Sequence, residues 1–198
     1  MKKFFIFFLF FVFLSYSSVN AYSNNPKEFV EELVNDAINQ LSDKSKTDVE
    51  KSKFIEKIAI ENVDINALGL YTLGELRKFA EKQDLDNYQL AFEKYFLKSL
   101  TSRLSDYSEN NFEVISADQK SSNYTIVSSK VIPADGGPEI KIDWRIYTKN
   151  PNNPLIRDLI IEGLSLARTQ KEEFASIINS NNGDIKALFK TLEEFSNN

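Results

Sequence analysis

Ile140-Lys141-Ile142-Asp143-Trp144-Arg145-Ile146-Tyr147 decides how this chain folds. Apolar and polar residues alternate through all eight positions, the period of a strand with one buried face. That face carries Ile140, Ile142, Ile146 and the chain's only tryptophan, Trp144. Upstream, Asp135-Gly136-Gly137-Pro138 is a turn signal. Before it, Tyr124, Ile126 and Ser128 alternate with Thr125, Val127 and Ser129, and Phe112, Val114 and Ser116 alternate with Glu113 and Ile115. Downstream, Pro151-Asn152-Asn153-Pro154 marks a second turn and residues 155–161 a fourth strand. Glu162-Gly163 then bends the chain from strand to helix, the glycine supplying a backbone angle or close approach that other residues resist.

Outside this block the period is helical. Asn25-Pro26-Lys27-Glu28 places a capping Asn ahead of Pro at the first helical position. Phe29, Val30, Leu33, Val34, Ala37, Ile38 and Leu41 follow on one stripe. Thr47-Asp48-Val49-Glu50 reads as a capping box. Asp64 opens a short helix, and residues 73–79 form another helical piece. The longest helix is expected to begin near Leu85, with Tyr88, Phe92, Tyr95, Phe96 and Leu100 along one face. Such a stripe either seals a core or lines a cavity, and spacing does not separate the two. After the strands, Leu166, Phe174, Ile177 and Ile178 mark one helix, and Asp184 caps a final one carrying Ile185, Leu188, Phe189 and Leu192. The expected class is therefore α+β. A twisted antiparallel sheet of about four strands is covered by helices from both ends of the chain, an arrangement able to enclose an apolar cavity.

Composition narrows the chemistry. With no His and no Cys among 198 residues, neither a Ser-His-Asp nor a Cys-His arrangement can be built, and the ordinary zinc ligands are missing. No cofactor motif appears. The N-terminus reads as a cleavable export signal: Lys2 and Lys3, an apolar run over residues 4–14, then Val19-Asn20-Ala21 with a small residue for the peptidase. That run is about half of what a membrane span needs. Cleavage after Ala21 leaves residues 22–198 as one domain. Removing Lys2 and Lys3 from a chain of net charge -5 leaves about -7. An acidic balance of that size argues against a nucleic-acid partner.

Several short motifs resemble one family. Asp158 followed by Leu159-Ile160-Ile161-Glu162-Gly163-Leu164-Ser165 is similar to the Asp-Val-x-x-Glu-Gly-x-Ser signature of the MlaC (toluene-tolerance) family. Leu73-Gly74-x-x-Arg77 resembles a second family segment. Phe92-x-x-Tyr95-Phe96 resembles its aromatic helix, and Lys171 and Phe174 fall where the family has a basic residue and Phe. Departures occur at Pro154, where the family often has Trp, and at Thr169-Gln170, where it often has Asn-Tyr.

The resemblance implies a monomeric periplasmic phospholipid carrier on an NTF2-like or cystatin-like fold, without catalysis or cofactor. Its partners would be an outer-membrane lipoprotein complex and an inner-membrane ABC transporter bearing MCE domains. The expected cavity lining is Phe92, Tyr95, Phe96, Leu100, Tyr124, Ile126, Ile140, Ile142, Trp144, Ile146 and Ile161. Arg77 and Lys171 are expected at the mouth or against a partner, and Glu162 and Gly163 at a structural bend. On the residues alone two other classes stay open. One is a small cavity hydrolase or isomerase drawing on Asp143, Asp158 or Glu162. The other is an interaction module with a solid core.

Overall fold

A computed structural model describes residues 22–104 and 111–197 of the chain; the leader read over residues 1–21 lies outside them. Helix α1 (Pro26–Ser42) leads to α2 (Asp48–Asn62), α3 (Ile65–Thr72), a 3-10 turn (Gly74–Lys78) and α4 (Lys82–Leu104). Strands β1 (Asn111–Ser121), β2 (Tyr124–Ile132), β3 (Ile140–Tyr147), β4 (Leu155–Ile161) and β5 (Leu164–Ser165) follow, then α5 (Leu166–Ser180) and α6 (Ile185–Asn197). The strands form one open antiparallel sheet in sequence order. The α+β class holds. Among the described residues no helix is long and apolar enough to cross a membrane.

Local chemistry explains most helix starts. Asn25 Oδ1 accepts the Lys27 and Glu28 amides at 2.9 and 3.5 Å ahead of Pro26. Thr47 and Glu50 close a reciprocal box, Glu50 Oε2 accepting the Thr47 amide at 2.8 Å. Asp64 Oδ1 accepts the Ala67 amide at 3.1 Å and starts α3. Asp184 Oδ1 accepts the Lys186 amide at 2.9 Å just ahead of α6.

The sheet has five strands rather than four. Glu162 and Gly163 both take positive φ, 48° and 83°, matching the sign that a tight two-residue hairpin requires. The chain therefore reverses instead of bending directly into a helix, and Leu164 and Ser165 pair back on Ile161 and Ile160 before α5 begins. A non-glycine residue is costly in this region. Glu162 has a compensating contact: its Oε1 accepts the Lys141 amide at 2.5 Å, while its own amide donates to the Lys141 carbonyl at 3.0 Å.

The family-like signature closes at the same place. Asp158, 4% exposed, accepts the Ser165 hydroxyl at 2.6 Å and the Ala167 amide at 3.0 Å. Ser165 Oγ in turn accepts the Arg168 amide at 3.1 Å. One buried carboxylate thus ties β4 to the first turn of α5, where backbone amides have no partner within the helix.

Candidate functional site: two apolar layers and a half-covered wall

Strand register sorts the sheet residues by face, because residues directly paired across a sheet share one. Val127 pairs Trp144, which pairs Leu159; Ser129 pairs Ile142, which pairs Ile161. Thr125, Ile146 and Ile156 make a third row. This face meets Phe29, Val30 and Leu33 of α1 in one apolar cluster. The Trp144 indole is satisfied within it: Nε1–H donates to Ser129 Oγ at 2.9 Å, and the Ser129 hydroxyl donates to the Ile142 carbonyl at 3.0 Å.

A second cluster is wholly helical. Tyr88, Ala91 and Phe92 of α4 pack with Ile65, Leu73, Phe174, Ile178, Leu188 and Leu192. Phe92 stands edge-on to Phe174, with centroids 6.2 Å apart, and stacks on Phe96. Tyr95 meets Phe174 and Phe195 and donates to Gln170 Oε1 at 2.9 Å. The Tyr88 hydroxyl lies 2.8 Å from Thr72 Oγ1, whose own hydrogen is directed at the Gly69 carbonyl, so Tyr88 donates. Burial pushes the Tyr88 hydroxyl well above the usual tyrosine range.

The expected lining therefore divides into three groups. Ile140, Ile142, Trp144, Ile146 and Ile161 lie on one sheet face. Phe92, Tyr95 and Phe96 belong to the helical cluster, and Leu100 sits half-buried further along α4. Tyr124 and Ile126 are the third group. Ile126 pairs Arg145, which pairs Asp158, and Tyr124 pairs Tyr147, so both occupy the sheet face away from Trp144. The Tyr124 hydroxyl accepts from Arg157 Nη1 at 2.8 Å. Polar and apolar residues occur on both faces of β2, so its own alternation does not say which face turns inward.

Burial falls along each wall. On the sheet, Ile146 is fully buried and Trp144 9% exposed, whereas Ile142, Ile140, Leu159 and Ile161 are half-buried. On α1, Phe29 and Val30 are buried while Ala37, Ile38 and Leu41 are half-buried. On α4, Tyr88 and Phe92 are buried while Phe96, Leu97 and Leu100 are half-buried. Each element thus runs from a sealed end to a partly covered one. Among the described residues, Val63 is the one packed against both clusters.

The junction at Val63 holds residues that the sequence did not single out. Val63 bridges Ile156 in parallel, and the Asp64 amide donates to the Ile156 carbonyl at 2.9 Å. Arg157 sits in a register shift between β3 and β4. Its guanidinium donates to Asp64 Oδ2 through Nε at 2.8 Å and pairs through Nη2 at 2.6 Å. It also lies 3.4 Å from the Tyr147 ring centre. Asp64 thus both caps α3 and fastens it to the sheet. A helix-opening Asp was legible; its ion-pair partner, 93 residues away, had no sequence signal.

Arg77 lies in the 3-10 turn and Lys171 beside it. Arg77 Nη1 donates to the Leu70 carbonyl at 3.1 Å, and Lys171 Nζ stands 5.4 Å from the Tyr71 ring centre. Among the described residues no group of three or more acidic side chains is placed to hold a metal ion.

Comparison with known proteins agrees with this arrangement. A solved structure of a phospholipid-binding protein from Ralstonia solanacearum, in complex with a phospholipid, superposes with a TM-score of 0.71 at 19% identity, covering 84% of this chain and 94% of that one. At that identity the likeness establishes the fold. No curated protein matches the sequence. The family model described as MlaC protein matches residues 30–194, nearly the whole described chain, and the protein belongs to the MlaC family.

Proposed function

We propose that this protein is a non-enzymatic phospholipid carrier, exported to the periplasm by its cleaved leader. There it passes glycerophospholipid between an outer-membrane lipoprotein complex and an inner-membrane MCE-domain ABC transporter. The observation that carries the reading is the half-covered apolar wall in an MlaC-family fold. Ile140, Ile142, Leu159 and Ile161 on the sheet, with Phe96, Leu97 and Leu100 on α4, leave apolar surface incompletely packed. The similar Ralstonia protein was solved holding a phospholipid.

The energetics suit a carrier. Two chains of about 16 carbons hold roughly 30 methylenes, and burying each is worth about 0.8 kcal/mol. Leaving them in water would cost on the order of 20 kcal/mol, so a shuttle must shield most of that area. The ligand requires neither nucleophile nor metal from the protein. Native mass spectrometry of the exported protein, purified without detergent and followed by lipid extraction, tests the reading. A stoichiometric phospholipid adduct supports it. A bare mass that persists after incubation with phospholipid vesicles sinks it and moves the weight to a ligand-free interaction module.

A further inference from the structure

The apolar face of the sheet continues beyond the point where the two clusters stop. Ser129 pairs Ile142, Ile142 pairs Ile161, and Ile161 pairs Leu164, so one row crosses β2, β3, β4 and β5 on the Trp144 face. Burial falls step by step along it: Ser129 is buried, Ile142 and Ile161 are half-buried, and Leu164 is 69% exposed. Among the described residues, Ile140, Ile161 and Leu164 belong to neither apolar cluster, and Leu100 of α4 stands outside both as well.

These residues share one end of the fold. Ile140 begins β3, and β3 pairs there with the last residue of β4. Helix α4 ends at Leu104 and β1 begins at Asn111, which pairs Ile132; the next step of the register joins Phe112 to Val131 and Val131 to Ile140. The half-buried end of α4 thus leads into the half-buried end of the sheet. At the other end of β3, Ile146 is fully buried. Leu164 is also held in place. Its neighbour Ser165 donates to buried Asp158 at 2.6 Å, and Glu162 bonds the Lys141 backbone through both its amide and its carboxylate. A lone exposed leucine needs no explanation. This one extends a buried row, on a fixed hairpin, at the open end of the wall.

We propose that acyl chains enter and leave the half-covered wall over the β4–β5 hairpin, with Leu164 as the lip they cross and their methyl ends directed toward Ile146. From Ile142 to Leu164 the row is aliphatic and uncharged, so it fits a hydrocarbon chain, and the polar headgroup stays in water at the Ile140 end. Leu164 shields part of a chain that has half emerged, the stage at which its methylenes would otherwise face water. The inference rests on the carrier reading and gives loading a direction.

The chain's only tryptophan reports that direction. Trp144 lies about 13 Å into the wall from Ile140, at the rise of a strand. The exported protein is loaded from vesicles of phosphatidylethanolamine and phosphatidylglycerol whose acyl chains carry bromine either near the glycerol or near the methyl end, and native mass spectrometry confirms loading. Methyl-end bromine should quench Trp144 more strongly. Leu164→Ser should slow transfer of the lipid to unlabelled vesicles about tenfold while leaving Tm and the adduct unchanged. Leu164→Met should transfer at the wild-type rate, and so should Leu90→Ser, at a leucine 65% exposed on α4. Equal or stronger quenching by glycerol-end bromine would overturn the proposal and leave the carrier reading intact. So would a lipid adduct that leaves Trp144 emission unchanged, or a Leu164→Ser transfer rate equal to that of wild type or Leu90→Ser. Absence of any phospholipid adduct would overturn the carrier reading and this proposal with it.

Discussion

Replacing Asp158 by Ala should destabilise the fold by about 3 kcal/mol, and the size follows from its contacts. The carboxylate is 4% exposed and accepts two internal hydrogen bonds, from the Ser165 hydroxyl and the Ala167 amide. Hydrogen bonds to a charged group are worth about 1.5–3 kcal/mol each. Truncation leaves the two donors in different situations. Ser165 is half-buried and its hydroxyl can rotate toward water. Ala167 is 6% exposed, so its amide stays buried without a partner, at a cost of about 1–3 kcal/mol. The third contact, Arg145 Nη1 at 3.4 Å, adds little, because the arginine side chain is 43% exposed and such pairs contribute roughly 0–1 kcal/mol.

Three variants separate these contributions. Asp158→Asn keeps an oxygen for the Ala167 amide and should cost only about 1–2 kcal/mol. Arg145→Met should cost less than about 1 kcal/mol. For Asp158→Ala, the expected loss corresponds to a fall in Tm of roughly 6–12 °C for a chain of this size. Urea unfolding followed by far-ultraviolet circular dichroism supplies the free energies. A loss below about 1 kcal/mol for Asp158→Ala would refute the reasoning. So would an Arg145→Met loss equal to it, because the ion pair and not the helix attachment would then carry the stability. The folded fraction of each variant should still carry lipid, since Asp158 is occupied by the fold.

Gly69→Ala would place a Cβ 2.6 Å from Gln89 Oε1 and 2.9 Å from Phe92 Cδ1. The glutamine end can swing away but the buried ring cannot, so a loss of about 1–3 kcal/mol is expected from urea unfolding. Gly163→Ala meets no atom within 4 Å, yet its φ of +83° should still cost about 1–2 kcal/mol by the same assay. Tyr22 and Tyr88 are held above the ordinary tyrosine range, chiefly by burial, with Asp36 adding to the effect at Tyr22. A raised folded value means that their stabilisation is complete below the unfolded tyrosine value, about 10, and is lost as pH rises through the folded value. Absorbance at alkaline pH should therefore show these two ionising only with unfolding; reversible ionisation of every tyrosine near pH 10 would contradict it. Ile142→Asp places a charge on the half-buried wall and should abolish the phospholipid adduct in native mass spectra while leaving a folded circular dichroism spectrum.

Sequence period resolved what depends on neighbours along the chain. The caps at Asn25, Thr47, Asp64 and Asp184 formed where expected because a cap is satisfied within three residues. The β3 alternation was legible because one face is apolar throughout. β5 was missed because two residues have no period. Which face of β2 meets α1 was not legible, because Tyr124 and Ile126 are as apolar as Thr125 and Val127 and only register against β3 distinguishes them. The aromatic stripe of α4 was legible as a stripe. That Phe92 and Tyr95 turn toward Phe174 and not the sheet is a tertiary fact. Arg157 illustrates the limit most clearly: its position depends on a register shift, which no local pattern encodes.

The gradient of burial explains why an apolar stripe could not by itself separate core from binding wall. A stripe that seals a core should be buried along its whole length. On α1, α4 and β3 it is buried at one end and only half-buried at the other. Maintaining Ile142, Ile161 and Leu100 as apolar side chains in half-covered positions forgoes packing that a closed core would gain. A carrier needs that incomplete packing, because a ligand's chains supply the missing contacts when present. The attachments on β4 suit the same need. Arg157 holds α3 through Asp64, and the adjacent Asp158 holds α5, so the helical layer is fastened to the sheet at two neighbouring residues by directional polar contacts. On the proposed carrier reading, apolar contacts are then free to exchange protein for lipid while the polar ones keep the layers in register.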